Sequence, residues 1–230
     1  MKNQKPIVQL ELYIIRHGQS MGNAGYGREN ITIKEANDPY LTELGISQAQ
    51  KVGEALSSIN FDTVYSSALL RAVQTATEII KKQHEEKTLN ILPLLTEISV
   101  KPEYKGAGME EICEICPTAQ LADGVDPSLP LVCYNSFEDE TGMYERAAKA
   151  IEHLRKRYKS GEKVAVISHA AFMTFFVFWI MGFKEKVPVF DIDFKNTSVT
   201  KVIFYKEGTN KYGDIVFKYI NSTAHLEQTY

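Results

Sequence analysis

LYIIRHGQSMGN, residues 12–23, runs an apolar segment straight into Arg16-His17-Gly18 and then turns through small and polar residues. Leu12–Ile15 is continuously apolar, the pattern of a strand buried on both faces. Such a strand, ending at Arg16 and His17, carries a guanidinium and an imidazole to its carboxyl end. In open α/β sheets, ligands sit outside the carboxyl ends of the strands. The same residues also fit a plain strand that stops at a solvated arginine and a turn, so the rest of the chain must decide.

Outward from this stretch the chain alternates. LTELGISQAQKVGEALSSI, residues 41–59, has apolar residues at helical spacing with Thr42 as its N-cap. DTVYSS is a short strand. ALLRAVQTATEIIKKQ follows as a helix capped by Ser66 or Ser67, then LNILPLL as a strand. Residues 138–158 form a long amphipathic helix, and SVTKVIFYK and DIVFKYI are two closing strands. Strand–helix alternation means βαβ crossovers. The expected fold class is therefore α/β, a three-layer sandwich with a mainly parallel sheet and helices on both faces. With no repeat, low-complexity tract or linker, residues 1–230 read as a single domain. Two irregular stretches, 24–40 and 99–137, are long enough to wall a site.

The apolar stretch VAVISHAAFMTFFVFWIMGF, residues 164–183, has the length of a membrane span. It divides better into a β-branched strand, KVAVIS, and a helix apolar on nearly every side, ended by Gly182. Ser168-His169 at the joint suits a turn over a site and does not suit mid-bilayer.

Composition narrows the function classes. Of 230 residues, 44% are apolar and 24% charged, which fits a protein that buries a real core. There are 26 basic and 29 acidic side chains, a net charge of −3. That balance argues against a nucleic-acid or membrane surface, yet leaves room for a few convergent arginines around an anion. Nothing near the start reads as a secretory signal. Cys113, Cys116 and Cys133 are too few for a disulfide framework and suit a reducing, cytoplasmic setting. Cys113 and Cys116 form one C-x-x-C without a second pair. They read as neighbours on a short helix stopped by Pro117, in preference to a metal or redox pair. Oligomeric state leaves no signal.

At the carboxyl ends of the expected strands, chemistry-bearing residues accumulate. The first ends at Arg16 and His17. The second leads into Arg71, one turn along a helix. The third leads to Glu97, and the fourth to His169. Each alone has an ordinary explanation, as a solvated arginine, a core histidine or a loop carboxylate. Four arrivals at one edge of one sheet are harder to explain that way.

In this order the motifs resemble those of the histidine phosphatase superfamily, the phosphoglycerate mutase-like fold. LYIIRHGQSMGN resembles its R-H-G-[QE]-[ST] motif with the downstream Asn. LTELGISQAQKVGEAL resembles its L-T-x-x-G-x-x-Q-A helix, and VYSSALLRAVQTA its S-S-x-x-x-R-x-x-Q-T-A segment. ISHAAFM resembles the second-histidine motif, and NTSVTKVIF and NSTAHL its closing strands. Departures exist. Ala170 stands where Gly usually follows the second histidine, and residues 24–40 lack the Trp-containing pattern of the mutases. LLTEISVKPEYKGAGMEE resembles the L-x-E-I form of the phosphatases and not the E-R-H-Y-G form of the mutases.

The resemblance implies a metal-independent phosphomonoester hydrolase with no cofactor, acting on a small phosphorylated substrate. His17 is the expected nucleophile. It must be neutral to approach a dianion, and Arg16, Arg71 and His169 disfavour its imidazolium. Arginine forks suit phosphoryl oxygens and supply what Mg²⁺ supplies in kinases. Glu97 is the expected general acid, then base, with Glu103, Glu110 and Glu111 as rivals. Arg16, Asn23, Arg71, His169 and Ala170 are expected at the substrate. Two alternatives remain: phosphoryl transfer of the phosphoglycerate mutase type, and a non-catalytic phospho-ligand-binding module.

Overall fold

The computed structural model describes residues 5–25, 31–98, 100–132, 139–184 and 191–227. Its strands are β1 (Val8–Arg16), β2 (Thr63–Ser66), β3 (Leu89–Ile91), β4 (Ala119–Leu121), β5 (Glu162–Ser168), β6 (Val199–Tyr205) and β7 (Ile215–Ser222). They form one sheet in the order β4-β3-β2-β5-β1-β6-β7. Pairings from β4 through β1 are parallel, while β6 runs antiparallel to both β1 and β7. The α/β class and mainly parallel sheet expected from the alternation are what the chain forms.

Helices cover both faces. They are α1 (Ile33–Asn37), α2 (Glu43–Ala55), α3 (Leu70–Ile80), α4 (Met109–Ile115), α5 (Glu140–Arg157) and α6 (Ala170–Met181). Side-chain alternation along the strands divides the core into two layers. Leu10, Leu12 and Ile14 of β1 pack with α5 and α6, while Tyr13 and Ile15 pack with α2 and α3. The α6 helix is buried on nearly every side and ends at Gly182, whose φ of 101° is open to glycine at no steric cost. No helix among the described residues is long and apolar enough to cross a membrane.

Some boundaries depart from the sequence reading. LNILPLL is strand only through Ile91, because Pro93 opens a 3-10 turn, Pro93–Leu95. Neither Ser66 nor Ser67 is the N-cap of α3. Leu69 holds that position without a side-chain bond, and the Leu70 amide donates to Asp38 Oδ1 at 2.8 Å. The long stretches 24–40 and 99–137 are partly ordered by α1, α4 and β4. Residues 26–30, 99 and 133–138 within or beside them, including Cys133, lie outside the described residues.

Register brings the strand ends level. Arg16 of β1 pairs with Ser168 of β5, and Ile167 pairs with Ser66 of β2. Residues that leave these strands, His17, His169 and Ser67, therefore emerge side by side. The turn after β1 then passes against the start of α2, where Thr42 caps the helix through the Gly45 amide at 3.0 Å. A Cβ on Gly18 would lie 2.4 Å from Gly45 O, and one on Gly45 would lie 2.0 Å from Gln19 O. Two backbones in contact explain why both positions are glycine. Gly45→Ala should therefore lower unfolding free energy by ~1–3 kcal/mol, because neither backbone can yield without moving His17. Urea unfolding of variant and parent checks this.

Candidate active site

His17 leaves β1 with its backbone pinned on both sides. Its N–H donates to Ser168 O at 3.0 Å, and its carbonyl accepts from Thr197 N at 3.2 Å and Asn196 Nδ2 at 3.1 Å. The ring is only 3% exposed. Nδ1 lies 2.6 Å from Gly18 O. A carbonyl only accepts, so Nδ1 carries the proton and Nε2 carries the lone pair. Arg71 Nε donates to that Nε2 at 3.3 Å. Burial first, then the charges of Arg71 and Arg16, hold the His17 pKa well below the usual 6.5.

Arg71, on the first turn of α3, is buried and points at this imidazole. Its Nη1 donates to Asn37 O at 3.1 Å and stands 3.5 Å from Asp38 Oδ1. Arg16 is held by Phe194 O, which accepts from Nη1 at 2.5 Å. His169 caps α6 by position. Its Nε2 lies 2.8 Å from Ser67 Oγ, and its ring centroid is 5.0 Å from that of His17. Burial, then the charges of Arg71, Arg16 and Arg146, push its pKa well down too. Arg16 Nε and His169 Nδ1 are buried without hydrogen-bond partners among the described residues. The Arg16 Nε–H, a buried donor, suits an incoming anion, since unpaired buried polar groups are costly.

Glu97 follows the 3-10 turn after β3. Its carboxylate accepts from Ile98 N at 2.9 Å, Phe172 N at 3.0 Å and Ala171 N at 3.4 Å, at the start of α6. Its charge acts on both Arg16 and Arg71. The rival Glu111 is engaged elsewhere, with Lys34 and with Tyr40 Oη at 2.9 Å. Asn23 is exposed in the turn after β1, where its Oδ1 accepts from Ser20 N and Asn196 Nδ2, each at 3.2 Å. Ala170 is the first residue of α6, beside His169. Arg16, His17, Arg71 and His169 are thus brought together, with Glu97 at the side.

Other residues shape the site without having stood out in the sequence. Ser67 orients His169. Thr75 Oγ1 accepts from Gly18 N at 3.0 Å and donates to Arg71 O at 2.8 Å, tying the two motifs together. Asn37 and Asp38 meet Arg71 from a stretch that carries no periodic signal. Asn37 and Asp38 sit beside each other in ANDPYLT, and a buried acid there is detectable only once its neighbours are known. Among the described residues, no group of three or more His, Cys, Asp and Glu is arranged to hold a metal ion. Cys113 Sγ faces Ala119 O and Cys116 Sγ faces Thr118 Oγ1.

The model of the histidine phosphatase superfamily, branch 1, matches residues 12–212. The chain belongs to that superfamily. Along its full length it is similar to phosphoserine phosphatase 1 of Hydrogenobacter thermophilus, with 29% identity over 96% of both chains. It is 32% identical over 124 residues to the fructose-2,6-bisphosphatase TIGAR of Xenopus laevis, a match covering 53% of this chain and 42% of that protein. The chain thus spans less than half the length of that relative. Among solved structures, phosphoserine phosphatase of Entamoeba histolytica, in complex with 3-phosphoglyceric acid, superposes with a TM-score of 0.61 at 25% identity. That match covers 94% of this chain and 99% of the other. The fold is also that of phosphoglycerate mutase from Bacillus anthracis, with a TM-score of 0.63, 21% identity and 96% coverage of both chains.

The histidines make a pH prediction. Below pH 6.5 the unfolded chain takes up protons that folded His17 and His169 refuse. Stability contributed by these groups is therefore complete above the unfolded pKa and is lost as pH falls below it. Long-range ¹⁵N correlation spectra should find His17 neutral in the Nδ1–H form at pH 6. Titration at or above 6.5 would contradict the electrostatics described here.

Proposed function

We propose that this chain is a metal-independent phosphomonoester hydrolase that works through a phosphohistidine on His17. The observation that carries this reading is the His17 tautomer: Nδ1–H is spent on Gly18 O, and the Nε2 lone pair faces the buried guanidinium of Arg71. A neutral nucleophile meets a phosphate dianion without charge repulsion, while guanidinium forks and His169 take the equatorial oxygens.

In the first step Nε2 attacks phosphorus, the N–P bond forms and the ester P–O bond breaks. Glu97 gives its proton to the leaving oxygen. In the second step water attacks phosphorus, the N–P bond breaks and Glu97 takes the water's proton, releasing inorganic phosphate. Glu97 is preferred over Glu103, Glu110 and Glu111 because its charge acts on both Arg16 and Arg71. Asn23 and Ala170 are assigned to the rim that meets the substrate.

Hydrolysis is preferred to mutase transfer because LLTEISVKPEYKGAGMEE has the L-x-E-I form of the family's phosphatases and not the E-R-H-Y-G form of its mutases. The similarity to a phosphoserine phosphatase over 96% of the chain supports this reading. The substrate class is a small phosphorylated metabolite, selected by the walls 31–40 and 100–132.

Trapping and the kinetics of three variants test this. His17→Ala should lose at least ~10³-fold in turnover with folding intact, as removal of a covalent nucleophile does. Rapid alkaline quench of the parent should trap a phosphate that is base-stable and acid-labile, and near-normal turnover of the variant would sink the mechanism. Glu97→Gln should slow the burst phase with alkyl phosphates far more than with nitrophenyl phosphates, whose leaving group departs unassisted. Equal slowing of the two bursts would remove Glu97 from the acid role. Arg71→Ala, by contrast, should slow both.

A further inference from the structure

Asp38 is a buried acid that this mechanism does not use. It is 1% exposed, and each hydrogen bond or ion pair of its carboxylate crosses to another element. Oδ1 accepts from Leu70 N at 2.8 Å, at the first residue of α3, and stands 3.5 Å from Arg71 Nη1. Oδ2 accepts from Tyr104 Oη at 2.8 Å. Its neighbour Asn37 repeats the pattern, since its carbonyl accepts from Arg71 Nη1 and its Oδ1 accepts from Lys101 N at 2.7 Å. Residues 37–38 thus join one wall of the site, the helix that bears Arg71, and the opposite wall.

Resting on the phosphatase reading above, we propose that Asp38 is the positioning residue of the phosphate-binding Arg71, and that it couples this guanidinium to the wall carrying Tyr104. Arg71 needs such a partner. It lies against a neutral imidazole and a backbone carbonyl, neither of which carries a compensating charge. Of the charges that favour its ionised form, Asp38 acts most strongly, ahead of Glu97. By accepting also from Leu70 N, the same carboxylate fixes the helix turn from which Arg71 projects. Asp38 does not touch the reacting atoms. Its effect runs through the direction in which Arg71 presents its donors, and a small misplacement of a phosphoryl clamp is costly.

The coupling carries a pH signature. Burial raises the Asp38 carboxyl to about 6, against the opposing pull of Arg71, the Tyr104 hydroxyl, the Leu70 amide and Lys34 of α1. Above that value the carboxylate is ionised and holds Arg71. Below it the acid is neutral and the hold weakens. His17 is pushed the other way, well below its usual 6.5, by burial and by Arg71 and Arg16. Anion affinity should therefore fall on acidification through about pH 6.

The test is tungstate binding at dilutions where the anion does not condense, followed as competitive inhibition and by calorimetry from neutral to mildly acid pH, where the monomer stays a dianion. In the parent, affinity should weaken about tenfold across this range, the size of one charge-assisted hydrogen bond. Asp38→Asn keeps an acceptor for Leu70 N but no titrating charge. It should bind tungstate about tenfold more weakly at neutral pH and lose the pH dependence. Parent-like affinity in this variant, or a retained acid limb, overturns the proposal. Tyr104→Phe removes a donor that lowers the Asp38 pKa, so its acid limb should move to higher pH. An unmoved limb counts against the coupling even if Asp38→Asn does not fold. Arg71→Ala separates the two readings. If it binds tungstate as the parent does, the anion does not sit on Arg71 and the phosphatase site falls together with this inference. If it loses tungstate while Asp38→Asn does not, only the role of Asp38 is wrong.

Discussion

The site depends on keeping one imidazole uncharged and correctly protonated in the company of cations. Gly18 O fixes the proton on His17 Nδ1, and burial with Arg71 and Arg16 keeps a second proton off Nε2. Each half needs the other. Without the carbonyl, the tautomer would be free, and without burial and the cations, protonation would compete for the lone pair. The arrangement creates its own difficulty, because buried guanidiniums are costly unless paired. The chain answers with acceptors from separate elements: Phe194 O for Arg16, and Asn37 O with Asp38 for Arg71.

Backbone geometry supplies the rest of the precision. Parallel strands in level register deliver His17, Ser67 and His169 to one edge, and helices α3 and α6 start there. Glu97 accepts from the first-turn amides of α6, so one carboxylate is fixed by the helix that His169 opens. Behind His17, Thr197 adopts a φ of 56°, which for a β-branched residue costs about 1–3 kcal/mol. Its amide donates to His17 O, and its hydroxyl lies 3.0 Å from His225 Nε2. The strain sits where a backbone donor must be aimed, and the closing segment of the chain holds it there.

The walls are tied to one another as well as to the sheet. Lys34 of α1 meets Glu111 of α4, and Tyr40 Oη donates to the same carboxylate. Lys101 N donates to Asn37 Oδ1 nearer the site. Two stretches that are remote in sequence thus form one rim.

Much of this was legible beforehand because strands and helices obey local periodicities. The run 12–15, the β-branched KVAVIS and the helical spacing of residues 41–59 each report burial through the side chains that face the core, so the α/β class follows from them. Arg16, His17, Arg71, Glu97 and His169 could be picked out because each stands at or soon after a strand end. The partners of those residues were not legible. Asp38 and Asn37 lie in a stretch without periodicity, and Ser67, expected as a helix cap, instead faces His169 across the sheet edge. Nothing local in ANDPYLT marks its acid as buried against an arginine more than thirty residues away. The sequence by itself determined which chemistry the chain carries and on which strand ends. The tertiary structure alone decided how that chemistry is protonated and aimed, because hydrogen-bond partners and desolvation arise only when distant segments exclude water together.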